Sequence, residues 1–247
     1  MRTTLLRAWK RALVGSAVLL LLAAAHPVRA TVFSVVDDFS TTTNTESSTW
    51  SYRSDTDMVH DGSYALLPTY GSQPSCCLWT GMTYWHGSGP IPGIGVNNTG
   101  GTFNWLSVNW PNNTVGMHPD SNGLTAVSWL SSGTGTIDIN FTFADIDPGT
   151  CCGSDGIRWY VDRNTTTLAS GSIANGGPSA SMFLDNVTVS AGDRIFFIVD
   201  PGLDNNAFDS TSLVATITTP EPGSGLLLLL GGVFAAVLRH RAKRNAD

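Results

Sequence analysis

Two oxygen-rich stretches carry the clearest chemistry in this sequence. Asp145 and Asp147 precede Pro148-Gly149, with Asp155 soon after, and Asp200, Asp204, Asn205, Asn206 and Asp209 form the second group. Carboxylate and amide oxygens are hard ligands, and flexible loops of this composition suit calcium, which takes about 6–8 oxygens. Neither stretch has EF-hand spacing, and Asp and Asn are also ordinary turn residues, so a calcium reading and a turn reading both stand. A third group is aromatic. Trp79, Tyr84, Trp85, Trp105 and Trp110 crowd a region dense in Gly and Pro, and exposed aromatic faces stack on sugar rings. Trp110 continues the alternation of Leu106 and Val108 and belongs to a core, whereas Trp105 points to the other side. Tyr84 and Trp85, beside a loop, are the expected ligand-facing pair, against the alternative that they too fill the core.

Nucleophilic catalysis has little to stand on. His60, His86 and His118 are far apart and outside any His-Glu-x-x-His pattern, and no Gly-x-Ser-x-Gly elbow occurs. Two of the many carboxylates could flank a glycosidic bond, so a polysaccharide hydrolase is the remaining enzymatic alternative to a non-catalytic protein. The four cysteines form two adjacent pairs, Cys76-Cys77 and Cys151-Cys152. Bridging neighbours strains the peptide bond between them, and zinc motifs space their ligands at least two residues apart. Two disulfides tying the Cys76 loop to the Cys151 loop are therefore expected, in an oxidising compartment.

The elements that position these groups read as β throughout. Ile137, Ile139, Phe141 and Phe143 alternate with Asp138, Asn140 and Thr142, as do Ile157, Trp159 and Val161 with Arg158, Tyr160 and Asp162. Arg194–Val199 is apolar on both faces and so central, Ala191-Gly192-Asp193 is a tight turn, and Leu213, Ala215 and Ile217 mark the closing strand. Thr41–Thr49 reads as a polar low-complexity stretch and Gly87–Gly101 as a long loop. Many short strands without helical periodicity predict a single all-β sandwich, jelly-roll-like, over residues 31–219, with its first and last strands adjacent.

Both ends have other signatures. Arg2, Arg7, Lys10 and Arg11 precede the apolar run Ala12–Ala25, and Val28-Arg29-Ala30 suits a signal peptidase cutting after Ala30, so residues 1–30 are read as a signal peptide. At the far end Pro220-Glu221-Pro222 precedes an apolar helix, about Gly223–Leu238, and a basic cluster from Arg239 to Arg244. The helix reaches roughly 24 Å, barely enough for a bilayer core of about 30 Å, and the basic cluster keeps the body of the protein outside. Of the 13 Lys and Arg, only Arg53, Arg158, Arg163 and Arg194 lie between the ends, against 17 of the 19 acids. A body with a formal balance of −13 does not bind nucleic acid by phosphate neutralisation. Neutral glycans, divalent cations and other surface proteins are the partners it suits.

The order Pro-Glu-Pro, short apolar helix, Arg-rich end over residues 220–247 resembles the PEP-CTERM sorting signal, also called the ice-binding protein C-terminal domain. That resemblance implies a transient membrane anchor, cleavage by an exosortase, and release to the cell surface or extracellular matrix of an exopolysaccharide-producing Gram-negative bacterium. In the body, Phe143-Ala144-Asp145, Gly153-Ser154-Asp155-Gly156-Ile157, Val189–Ile195 and Val199-Asp200-Pro201-Gly202 resemble the galactose-binding-like and carbohydrate-binding-module jelly rolls, which implies an architecture and a polysaccharide ligand. The resulting expectation is an exosortase-sorted, non-catalytic surface protein that binds polysaccharide or another surface component. A purely structural or adhesive matrix protein is the alternative.

Overall fold

Gly135–Asp145 buries Ile137, Ile139, Phe141 and Phe143 on one side and turns Asp138, Asn140 and Thr142 outward, as period-two alternation requires of a half-buried strand. The same logic builds the rest of the chain. A computed structural model describes residues 30–72, 78–149, 152–202 and 205–219. In chain order the strands are β1 (Thr31–Ser34), β2 (Trp50–Ser54), β3 (Ala65–Leu66), β4 (Thr69–Gly71), β5 (Tyr84–His86), β6 (Gly93–Asn97), β7 (Phe103–Trp105) and β8 (Val108–Trp110). They continue as β9 (Thr114–His118), β10 (Thr125–Leu130), β11 (Gly135–Asp145), β12 (Ile157–Arg163), β13 (Thr166–Ile173), β14 (Ala180–Val189), β15 (Arg194–Asp200) and β16 (Thr211–Thr219). No helix occurs among the described residues. The expected signal segment up to Arg29 and the sorting tail from Pro220 lie outside them.

One sheet runs β14-β11-β16-β9-β6-β5-β4 with β1 also on β16, and the other runs β13-β12-β15-β10-β2-β3. The first and last strands are thus paired, and the doubly apolar β15 is interior, both as expected. The two sheets enclose one core in which Phe141 meets Trp159 and Phe197 edge-on at 5.6 and 5.9 Å. Residues Val32–Thr219 form one compact unit.

Two sequence expectations change. The stretch Gly87–Gly101, read as a loop, contains the buried strand β6, paired with β5 and β9. Its glycines look like loop residues but serve as floor: a Cβ on Gly95 or on its cross-strand partner Gly116 would meet the Trp110 ring at 3.0 and 2.6 Å. Trp110 lies there because the hairpin β7–β8 folds over the outside of this sheet, and it makes a second core with Leu78, Trp79, Met82, Tyr84, Val108 and Ile146. The polar stretch Thr41–Thr49 is ordered rather than featureless. Asn44 bonds the Tyr52 and Leu67 carbonyls at 2.8 and 2.9 Å and accepts from the Tyr52 amide at 2.9 Å.

The outer face of the β12-β15-β10-β2 sheet carries a third core of Tyr64, Leu124, Ala126, Phe196 and Ile198. Two charged clasps hold segments over it. Glu46 receives a bidentate bond from the buried Arg53 at 3.1 and 2.6 Å and a third from Arg194 at 3.0 Å. His60 bonds Asp162, whose exposure is 0%, at 2.9 Å and packs edge-on to Tyr160 at 4.1 Å.

The clasps titrate in opposite senses. The Arg53 hydrogen bond, with the charges of Arg53 and Arg194 acting against partial desolvation, holds the Glu46 carboxyl below its ordinary 4.5. Its contribution is therefore present above that value and lost as pH falls through the depressed one. The Asp162 hydrogen bond, opposed by burial and aided by Asp162, Asp200 and Asp55, raises the His60 imidazole above its ordinary 6.5. Its contribution is present below that value and lost as pH rises through the raised one. Melting temperature in chelator should decline as pH rises past 6.5, and the decline should be shallower in His60→Gln. Equal slopes for variant and wild type would show that this clasp contributes nothing.

Candidate functional site

Strand register brings the two acidic stretches to one end of the sandwich. Asp145 closes β11 opposite Thr211, where β16 begins. Asp200 closes β15 opposite Arg158, near the start of β12. The connections between these strand ends therefore carry Asp147, Asp155 and Asp209 to the same place, while Asp204 lies outside the described residues.

The carboxylates there do different jobs. Asp145 accepts the Asp147 amide at 2.7 Å and the Gly176 amide at 2.5 Å, and Asp200 accepts the Gly202 amide at 2.7 Å. Asn205 accepts the Ala207 amide at 2.6 Å. The Asp147, Gly202 and Ala207 bonds are side-chain turns closing on the amide two residues on, so the turn reading accounts for Asp145, Asp200 and Asn205, while the Gly176 bond ties Asp145 to the connection after β13. Asp155 lies against Gly202, where an added Cβ would sit 2.8 Å from its Oδ2.

Asp209 fits no such turn. It is 1% exposed, and neither carboxylate oxygen has a hydrogen-bond partner. Burial first, then the charges of Asp155, Asp145, Asp147 and Asp200, push its carboxyl from an ordinary 3.8 up to about 9. The same four neighbours show that the two stretches share one field. Asp147 is also raised by burial, against interactions with the Ser107 and Ser210 side chains, and its Oδ1 is buried without a partner. Asn175 Oδ1 is a further buried oxygen without a partner, on a side chain whose amide bonds Gly149 O and Ser154 Oγ.

Buried, unpartnered oxygens next to several negative charges have the donor chemistry of a hard-cation site. Among the described residues no group of three or more His, Cys, Asp or Glu is placed to hold a metal ion. Asp209 and Asp147 would hold such an ion together with amide or main-chain oxygens, and not as a cage of carboxylates alone.

The aromatic expectation is corrected. Tyr84 is 0% exposed in the second core, edge-on to Trp79 at 5.3 Å. Trp85 is 5% exposed, stacks on Tyr52 at 5.9 Å and donates Nε1 to Ser40 O at 2.7 Å. A strand alternates its side chains, so β5 gives one residue to each core, and covering both faces of the sheet leaves neither ring a free side. Trp110 is in the core as expected. Trp105 pairs with Val108 across the hairpin and packs, half-buried, against the second core. The Leu106-Ser107 turn between them carried no Asn-Gly or Gly signature by which sequence could find it.

The remaining groups are placed as follows. Burial depresses the His118 imidazole to about 4, and its Nδ1 lies 2.8 Å from Pro119 O. Cys152 is exposed, in a turn at φ +65°. Cys76, Cys77 and Cys151 lie outside the described residues.

No family model matches the chain, and no curated protein matches it. Among solved structures it is similar to carbohydrate-binding modules. The tandem CBM51 modules of a family 98 glycoside hydrolase from Streptococcus pneumoniae SP3-BS71 share 10% identity over 78% of this chain and 50% of theirs, with a TM-score of 0.42. CBM51 from Clostridium perfringens GH95, solved with methyl-galactose, shares 12% over 51% of this chain and 87% of that one, at 0.33. CBM51-2 with INT domains from Clostridium perfringens ZmpB, in complex with GlcNAc, shares 16% over 43% of this chain, at 0.32, and only 22% of that chain is spanned.

The unrelieved carboxyl gives a direct test. With its folded value raised to about 9 from 3.8, Asp209 favours the native state only at low pH and opposes it increasingly as pH rises. Asp209→Asn should therefore melt several degrees above wild type at pH 8 in chelator and no higher at pH 3. A variant no more stable than wild type at pH 8 would show that the carboxyl is relieved there.

Proposed function

We propose that this chain is an exported, non-catalytic surface protein whose sandwich, a jelly roll in finer topology, binds polysaccharide at its acidic end with the help of a divalent cation such as calcium. The observation that carries this reading is Asp209, a buried carboxylate with no partner among four other aspartates. A native-state group so placed is stabilised by anything that supplies positive charge. The residues that would hold calcium are Asp209 and Asp147, with Asn175 as a nearby amide oxygen. A bound cation supplies open coordination positions that oxygen ligands such as neighbouring sugar hydroxyls can take. The body's charge of −13 favours neutral glycans over acidic ones.

The sequence ends support the route to the surface. A signal peptidase would release Thr31 by cutting after Ala30, and an exosortase would recognise Pro220-Glu221-Pro222 while the following helix holds the chain in the membrane. The destination is the cell surface or extracellular matrix of a Gram-negative bacterium. One observation favours the structural or adhesive alternative: Tyr84 and Trp85 are both spent on cores, so no ready sugar-stacking face exists at β5.

Two measurements test the two halves. The mature protein should gain several degrees in melting temperature with calcium over chelator and should bind polysaccharides on a glycan array only with calcium present. Identical melting curves and an empty array would overturn the binding site. Mass spectrometry of protein recovered from its host should find Thr31 at the start and no basic tail, and recovery of peptides containing Lys243 would overturn the sorting reading.

A further inference from the structure

Leu106 at the tip of the β7–β8 hairpin is 85% exposed, the most exposed large apolar side chain among the described residues. Its backbone sits at φ +51°, a left-handed conformation that β-carbons disfavour and glycine or asparagine adopts readily. An apolar side chain is thus presented to solvent on backbone that would suit a residue with none. The hairpin is also firmly fixed. Asn109 N donates to Ile146 O at 2.7 Å, and the hairpin's own cross-strand pair Phe103 and Trp110 packs edge-on at 6.2 Å.

The surroundings of the tip have a specific chemistry. Trp105 is half-buried beside Leu106, and Ser107 interacts with Asp147 at the acidic end. Asn104 and Asn109 are cross-strand partners on the outward face of the hairpin, both exposed. An exposed apolar tip and two exposed amides lie on this one hairpin, above Trp105, which packs on the second core, and the buried Asp147. A pyranose matches that mixture, with its C–H face apolar and its hydroxyls on the rim. A second copy of this chain is disfavoured by a body charge of −13, and an anionic lipid surface is disfavoured by the same charge.

We propose that the Leu106 tip is the sugar-facing platform of the acidic end, on which a pyranose of a neutral polysaccharide lays its apolar face while the outward Asn104 and Asn109 meet its hydroxyls. This rests on the polysaccharide reading above and adds to it the residues that contact the ring. The platform comes from the turn of the β7–β8 hairpin and not from the β5 aromatics Tyr84 and Trp85, which the two cores consume.

Leu106→Gly separates binding from folding, because glycine suits the backbone while removing the side chain. The variant of the mature protein should melt at or above the wild-type temperature with an unchanged calcium response. Its affinity for the polysaccharides that wild type binds on a calcium-loaded array should fall about threefold to tenfold. Asn104→Ala and Asn109→Ala, both at exposed positions, should weaken binding of the same ligands. Equal affinity of Leu106→Gly and wild type would overturn the platform while leaving the polysaccharide reading intact. A wild type that binds no glycan overturns both. Leu106-dependent self-association in sedimentation, or Leu106-dependent binding to anionic vesicles, with glycan affinity unchanged, would assign the tip to another partner and overturn the proposal.

Discussion

Ile195 to Val199 place apolar side chains on both faces of β15, and such a strand is stable only between two packed layers. One layer is the opposite sheet. The other has to be supplied by chain that is not sheet, which is why the segment from Asp55 to Tyr64 lies over Phe196 and Ile198 and is pinned through His60 to Asp162. The second sheet repeats the arrangement. Its outer face at β5, β6 and β9 is too smooth and apolar for water, and the β7–β8 hairpin with Leu78–Met82 covers it. Much of the irregular chain in this protein is therefore structural cover.

The acidic end follows from that covering. Ile146 belongs to the second core, Trp79 donates Nε1 to Ser210 Oγ at 3.3 Å, and a Cβ on Gly149 would overlap the Phe208 ring at 2.0 Å. Each of these draws the loops after β11 and before β16 inward. Asp147 and Asp209, lying between such anchors, lose water that ordinary loop acids keep. Their raised carboxyls are a consequence of burial between apolar packing on either side of them, whereas Asp145 and Asp200 accept backbone amides.

How much of this could be read in the sequence depends on what each signal encodes. Alternation from Ile137 to Phe143 names both a strand and its inner face, and the doubly apolar run at β15 names its interior position, since both are local patterns. The strand β6 was hidden because Gly93 and Gly95 leave no side chain to alternate, and only the position of Trp110 shows that the space is used. Tyr84 and Trp85 were misplaced because sequence gave no sign that the outer face of their sheet is itself covered. The two acidic stretches were visible and their meeting was not. Asp200 and Asp209 look alike as letters, and what separates them is an amide two residues on for one and nothing for the other.

Asp209 has a consequence for how the protein reaches its native state. In an open chain near neutral pH its carboxyl has given up its proton, whereas in the folded protein, with a value of about 9, it holds one. Each molecule that closes this end without a cation takes a proton from the solvent, and each that opens returns it. The folding equilibrium is in that sense an acid–base reaction of the medium. On account of this one carboxyl, the acidic end closes more completely as pH falls from about 9 toward 3.8.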